Sequence, residues 1–330
     1  MMLQERPVAL VPSSVADAST PSAASARSCL DAAIRQVNAV VLGKASQVRL
    51  AFVCLLTGGH LLLEDLPGTG KTLLAKSLGS ALGLSFHRIQ FTSDLMPSDI
   101  LGVSVYRPDT RQFELHQGPI FTQVLLADEI NRASPRTQSA LLEAMAEGQV
   151  SIDRQTLKLP TPFMVLATQN PIDTVGTFPL PAAQLDRFLF QVSLGYPDRQ
   201  SELELMRPSS HPSQPDGPSR PAPLSAANLA TLRAETRQVV VAECLLAYAY
   251  NLVHATRTHP SLQVGLSPRA ALALVAAGQA LAFIANRDYA TPEDIQEAFL
   301  PLATHRVHAK AANPHQARDI LADILRQTAI

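Results

Sequence analysis

Tryptophan is absent from this 330-residue chain, and Phe and Tyr bring the aromatic share to only 5%. Proteins that hold single-stranded nucleic acid stack bases on aromatic platforms, so that role loses its usual partners. Charge of one sign is missing too. The 27 basic and 28 acidic side chains leave a formal net charge of −1, which gives no overall field to draw in nucleic acid or an anionic membrane. Cys29, Cys54 and Cys244 are far apart and in no C-x-x-C or Cys/His spacing. They suggest neither a metal site nor a disulfide framework, but small thiols in a reducing compartment. Long apolar runs are also lacking: the longest, at 239–253 and 270–285, carry Glu243 and Gln279 and fall short of the ~20 residues a membrane span needs. Residues 8–11 are too short an apolar run for a signal peptide. The expectation is a cytoplasmic protein with no membrane span.

What is present describes a globular chain, with 46% apolar and 17% charged residues and enough length for about two domains. Residues 1–27, rich in Ser, Ala, Pro and Val without helical period, are expected as a disordered tail. From 28 to 206 strands alternate with helices: strands at 60–64, 87–91, 124–127, 164–168 and 189–192, with helices after the first and third. Alternation of this kind predicts an α/β fold, a parallel sheet sandwiched by helices. Two hairpins interrupt it, at 103–115 and 150–159. The Pro/Ser-dense stretch 207–224 reads as a linker. Beyond it, from 225 to 330, the pattern is helical only and predicts a small α-helical lid domain.

The densest chemistry lies at Asp65-Leu66-Pro67-Gly68-Thr69-Gly70-Lys71-Thr72, between an apolar strand and a helix. Glycines let backbone N–H groups turn inward around phosphates, and the helix N-terminus behind them favours negative charge. Pro67, Gly68, Thr69 and Gly70 would form the cradle, Lys71 would reach the β- and γ-phosphates, and the Thr72 hydroxyl would ligate Mg²⁺. The strict pattern G-x-x-x-x-G-K-[ST] wants a glycine at Asp65, whose carboxylate must point away from the phosphates or weaken binding. The loop implies ATP and Mg²⁺ as ligands.

Two further strands end in polar groups at the same sheet edge. The run 124–127 closes on Asp128-Glu129: Asp128 would hold Mg²⁺ through water, and Glu129 would orient and polarise the attacking water. The run 163–168 closes on Gln169-Asn170, and a neutral Asn170 suits both a γ-phosphate oxygen and that water. Asn170-Pro171 is equally what a plain turn uses. Leu185-Asp186-Arg187-Phe188 offers an arginine just before a further strand, and Asp186-Arg187 reads equally as a plain surface pair. In Ser267-Pro268-Arg269, Ser caps a helix with Pro at its first position, which leaves Arg269 exposed.

In this order the loop, Asp128-Glu129, Asn170, Arg187 and Ser267-Pro268-Arg269 resemble the AAA+ ATPases. The text between them is similar to the MoxR branch: Gln90-Phe91-Thr92-Ser93-Asp94-Leu95-Met96-Pro97-Ser98-Asp99, Gly118-Pro119-Ile120-Phe121, Asp128-Glu129-Ile130-Asn131-Arg132-Ala133, Gln184-Leu185-Asp186-Arg187-Phe188 and Thr304-His305-Arg306. The resemblance covers about 39–307. It implies that Asn170 is the sensor-1 residue, Arg187 an arginine finger reaching a neighbour's γ-phosphate, and Arg269 the sensor-2 arginine contacting nucleotide from the lid. It also implies a homo-oligomer, typically a hexamer, that hydrolyses ATP to remodel or activate other proteins. A partner with a von Willebrand factor A domain and a role in metal-cofactor insertion or complex maturation belong to the same picture, as does a client protein that no single sequence names. By the same resemblance, the hairpin at 103–115 corresponds to the helix-2 insert and that at 150–159 to the hairpin before sensor 1.

Ala182 stands where the family usually has glutamate, and residues 171–176 are a loose version of the loop after sensor 1. Other readings stay open on the same motifs: a chelatase-like metal insertion motor, a nucleic-acid-acting AAA+ relative, and a small-molecule kinase that needs no arginine in trans.

Overall fold

Leu61 and Leu63 belong to one apolar cluster and Leu62 to another; Val124 and Leu126 oppose Leu125 and Ala127 in the same way, and Met164 and Leu166 oppose Val165 and Ala167. Side chains alternate along a strand, so runs this uniformly apolar must be covered on both faces, which is the condition for a parallel sheet. The computed structural model describes residues 23–66, 68–153, 155–171, 176–207, 224–310 and 314–330. Pro67, residues 1–22 of the tail expected at 1–27, residues 208–223 of the linker expected at 207–224, and residues 172–175 of the loop at 171–176 lie outside them.

In chain order the core holds α1 (Ala23–Val40), α2 (Ala45–Thr57), β1 (Leu61–Glu64), α3 (Lys71–Leu82), β2 (Phe86–Gln90), α4 (Pro97–Leu101), β3 (Gly102–Arg107), β4 (Gln112–Gln117) and β5 (Val124–Asp128). A 3₁₀ turn (Ile130–Arg132) follows, then α5 (Pro135–Glu147), β6 (Gln149–Ile152), β7 (Gln155–Lys158), β8 (Met164–Gln169), α6 (Ala182–Leu185), β9 (Phe190–Val192) and α7 (Arg199–Met206). Five strands form one sheet in the order β2-β5-β8-β1-β9, all parallel. The pairs β3–β4 and β6–β7 are antiparallel hairpins, as the turn chemistry predicts. The helix α1 begins inside the segment expected as tail: Ala26 is buried, and Arg27 lies over the Phe283 ring and pairs with Glu235 and Asp288.

The lid consists of α8 (Ala226–Thr236), α9 (Glu243–Thr258), β10 (Leu262–Val264), α10 (Pro268–Ile284), α11 (Pro292–Ala303), β11 (His308–Ala309) and α12 (Pro314–Gln327). The lid is helical as expected, with one addition that the sequence pattern did not show: β10 and β11 form a short antiparallel ribbon. Leu262 is buried and anchors one strand; three- and two-residue strands are too short for their alternation to register against helical neighbours. Ser267 caps α10 through the Ala270 N–H at 3.1 Å, with Pro268 at its first position. A Cβ at Gly278 would lie 2.6 Å from the Ile295 side chain, so glycine there lets α10 and α11 touch closely.

Candidate active site

The loop after β1 starts with a buried carboxylate. Asp65 Oδ2 accepts the Leu194 and Gly195 N–H groups, at 2.6 and 2.7 Å, and Oδ1 accepts the Leu66 N–H at 3.0 Å. The charge at the unorthodox first position of the motif is therefore used to tie the base of the loop to the segment behind β9. Gly68 and Gly70 have φ of +83° and +94°, and a Cβ at either would meet nothing within 4 Å. Glycine is demanded there by conformation rather than by space. Among the described residues no side chain caps α3, and the N–H groups of a helix's first turn are suited to an anion. Lys71 Nζ donates to the Asp65 and Leu66 carbonyls, at 2.8 and 3.0 Å, across the mouth of the same loop.

Parallel strands put their C-terminal ends on one edge, and β5, β8 and β1 are adjacent. That edge gathers Asp128 and Glu129, Asn170, and the loop with Lys71 and Thr72. Thr168, fully buried at the end of β8, joins the two carboxylate residues: its hydroxyl donates to Asp128 Oδ1 at 2.6 Å and accepts the Glu129 N–H at 2.8 Å. Asp128 Oδ2 accepts from Arg88 Nη2 at 2.6 Å. Glu129 has φ +56°, a left-handed conformation that a residue with a side chain rarely adopts. The turn throws its carboxylate off the strand, where Oε2 accepts from Gln90 Nε2 at 2.9 Å and pairs with Arg132 at 3.3 Å. The two carboxylates thus sit in different surroundings, one buried and one half-buried. Beside buried Asn170 a cleft of about 280 Å³ has Asn131, Gln169 and Thr177 in its wall.

Arg88, Gln90 and Thr168 were not singled out by the sequence. The signal was there in the period of two: Arg88 and Gln90 share a face of β2, and Gln90 pairs in register with Asp128.

The remaining two candidates lie elsewhere. Arg187 precedes β9, whose first residues pair with the start of β1, so it stands at the opposite edge of the sheet from Lys71. Its Nη1 donates to the Leu142 carbonyl of α5. Arg269 is exposed at the start of α10, and its positive charge is felt at His60 and Arg306, both near that same opposite edge. His60, buried before β1, accepts the Val165 N–H on Nδ1 at 3.0 Å and turns Nε2 to the Met145 carbonyl at 3.2 Å. Burial, followed by the neighbouring arginines, holds its pKa down at about 4, so it is neutral.

As a donor set, the Thr72 hydroxyl and the Asp128 carboxylate are hard oxygen ligands of the kind Mg²⁺ takes. Among the described residues no cluster of three or more His, Cys, Asp or Glu forms a cage. When bound, Mg²⁺ would neutralise charge building on the β- and γ-phosphate oxygens.

A glycine-bearing loop on a helix N-terminus, beside two strand-end carboxylates, defines a nucleoside triphosphatase of the α/β class. Residues 60–190 match the family model described as ATPase family associated with various cellular activities (AAA), and residues 254–324 match the AAA lid domain. Protein YeaC of Bacillus subtilis (strain 168) is 46% identical over 81% of this chain and 83% of its own length. Chaperone MoxR1 of Mycobacterium tuberculosis is 41% identical over 84% of this chain and 75% of its own length. A crystal structure from Cytophaga hutchinsonii superposes with a TM-score of 0.84 at 39% identity, covering 93% of this chain and 96% of that one. The chain belongs to the MoxR family of AAA+ ATPases, and it is an ATP-hydrolysing enzyme.

Proposed function

We propose that this ATPase works as a ring of identical subunits, typically six, whose hydrolytic site is completed by arginines from the neighbouring protomer. One observation carries the reading: Arg187 stands at the sheet edge opposite Lys71. Four-residue β1 alone separates the two edges by ~13 Å, and Arg187 points to α5 rather than across the sheet. An arginine that cannot serve its own triphosphate is placed to serve another's. Arg269, near the same edge, belongs with it.

Within the protomer, the Gly68 to Gly70 backbone and Lys71 bind the phosphates, while Thr72 and Asp128, the latter through water, would hold Mg²⁺. Glu129 orients the attacking water and draws on its proton, and Asn170 fixes that water against the γ-phosphate. Gln90 and Arg132 steady the Glu129 carboxylate at a distance from Asp128. The work delivered is remodelling or activation of a protein client, a reading supported by the chaperone relative at 41% identity. A von Willebrand factor A domain protein is the partner we propose. Among the described residues no helix is long and apolar enough to cross a membrane.

The test is ATP turnover per protomer against protein concentration, with Arg187→Ala beside the wild type. Specific activity should rise with concentration, and the variant should bind ATP but turn over at least ~10³-fold more slowly, the scale of an arginine finger. Flat activity that is indifferent to Arg187 would overturn the ring reading.

A further inference from the structure

Thr304-His305-Arg306 follows α11 directly and carries a cation buried to 8% exposure, and the ATPase site makes no use of it. All five N–H groups of Arg306 are satisfied. Nε donates to Asp186 Oδ1 at 2.7 Å; Nη1 donates to the Leu189 carbonyl at 2.9 Å and to that of Leu302; Nη2 donates to the Phe188 carbonyl at 2.6 Å and to that of Asp186 at 3.3 Å. His305 adds its Nε2 to the Phe188 carbonyl at 3.0 Å. Four of the five Arg306 bonds thus fall on Asp186, Phe188 and Leu189, the residues that flank Arg187. One lid side chain grips the core segment that carries the trans arginine.

Its placement says more. Arg306 follows α11, which Gly278 lets pack tightly on α10, and α10 opens with Arg269. Arg269 lies within electrostatic reach of Arg306, whose own bound carboxylate is Asp186 at 2.7 Å. A guanidinium whose fork is fully used has one geometry, whereas an ammonium could satisfy only three of these acceptors.

We propose that Arg306 is a positioning residue for hydrolysis at the neighbouring subunit: it locks the Asp186–Leu189 segment of the core to the lid, so that Arg187 and Arg269 meet one triphosphate together. The inference rests on the trans role proposed for Arg187. It requires that breaking the lock lower kcat while leaving ATP affinity in place, and that the defect be confined to what a protomer gives its neighbour.

Complementation between inactive variants tests this. Arg306→Gln and Arg187→Ala each keep their own Glu129, while Glu129→Gln keeps its arginines. Mixed 1:1 with Glu129→Gln, each should recover about a quarter of the wild-type rate, the share of interfaces where an intact glutamate faces an intact arginine. Recovery with Arg187→Ala but not with Arg306→Gln, or wild-type turnover by Arg306→Gln alone, overturns the proposal and leaves the role of Arg187 standing. Failure of Arg187→Ala to be complemented removes that role, and the proposal with it. Because loss of a buried guanidinium can unfold the lid, Asp186→Asn is carried in parallel. It keeps the backbone acceptors and should lose several-fold in kcat with unchanged ATP affinity and a wild-type-like melt; unchanged kcat in that variant also overturns the proposal.

Discussion

At Glu129, one residue's backbone does as much as its side chain. The left-handed turn throws its carboxylate off the strand, while Thr168 holds the Asp128 carboxylate and the Glu129 backbone N–H. Glu129→Gln should keep ATP bound while turnover falls by ~10²–10⁴-fold, the range for loss of a positioned base, as read by nucleotide binding and phosphate release on the same sample. Turnover close to wild type would remove Glu129 from that role. Asp65 is the other residue whose meaning needed three dimensions. The sequence posed its charge as a problem inside a phosphate loop; folding turns it onto the Leu194 and Gly195 N–H groups. Asp65→Ala leaves both donors buried and unmet, and should lower unfolding free energy by about 1–3 kcal/mol in a denaturant titration.

At the scale of elements, β5, β8, α5 and α10 were legible: the strands lie where the apolar runs put them, and α10 where its Ser-Pro cap does. The helix α2 was missed because its apolar residues cover nearly every face, with Val48 and the run 50–56 all buried, so no amphipathic period marks it. The lid ribbon was missed for shortness. The Gly118-Pro119-Ile120-Phe121 motif also finds its reason at this scale. A Cβ on Gly118 would lie 2.2 Å from the Ile100 carbonyl oxygen and 2.6 Å from the Gly102 nitrogen, where the β3–β4 hairpin leaves the core. Gly118→Ala should cost about 1–3 kcal/mol, as overpacking does, and lower the thermal midpoint; an unchanged midpoint would show that the hairpin base gives way freely.

For the whole molecule, two buried histidines tie distant parts together and set a response to pH. His60 bonds to β8 and α5, and His305 fastens the lid to the start of β9. Burial is the main cause in both: it holds their pKa values at about 4 and about 3, against 6.5 when free. The unfolded chain binds protons at these sites below pH 6.5 that the folded chain refuses, so their stabilising contribution is present above 6.5 and declines as pH falls toward 4. Thermal midpoints should therefore drop between pH 6.5 and 5, above the range where carboxylates titrate, and the slope should lessen in His60→Gln. Equal slopes in variant and wild type would show that His60 takes up protons in the folded state as freely as in the unfolded one. The sequence made readable the sheet edge that gathers the glycine loop, Asp128, Glu129 and Asn170, because loop and strand ends are local. It could not show that Arg187 and Arg269 lie near the other edge, since that depends on how β9 pairs and how the lid docks.

Among the described residues the edge strand β9 pairs with β1 alone, and α11 of the lid packs against it. An uncovered strand edge is a template for pairing with other chains. A lid swung wide enough to bare Phe190–Val192 would expose the sheet to the stacking that forms aggregates. The docked lid is therefore also the cover of one short edge strand.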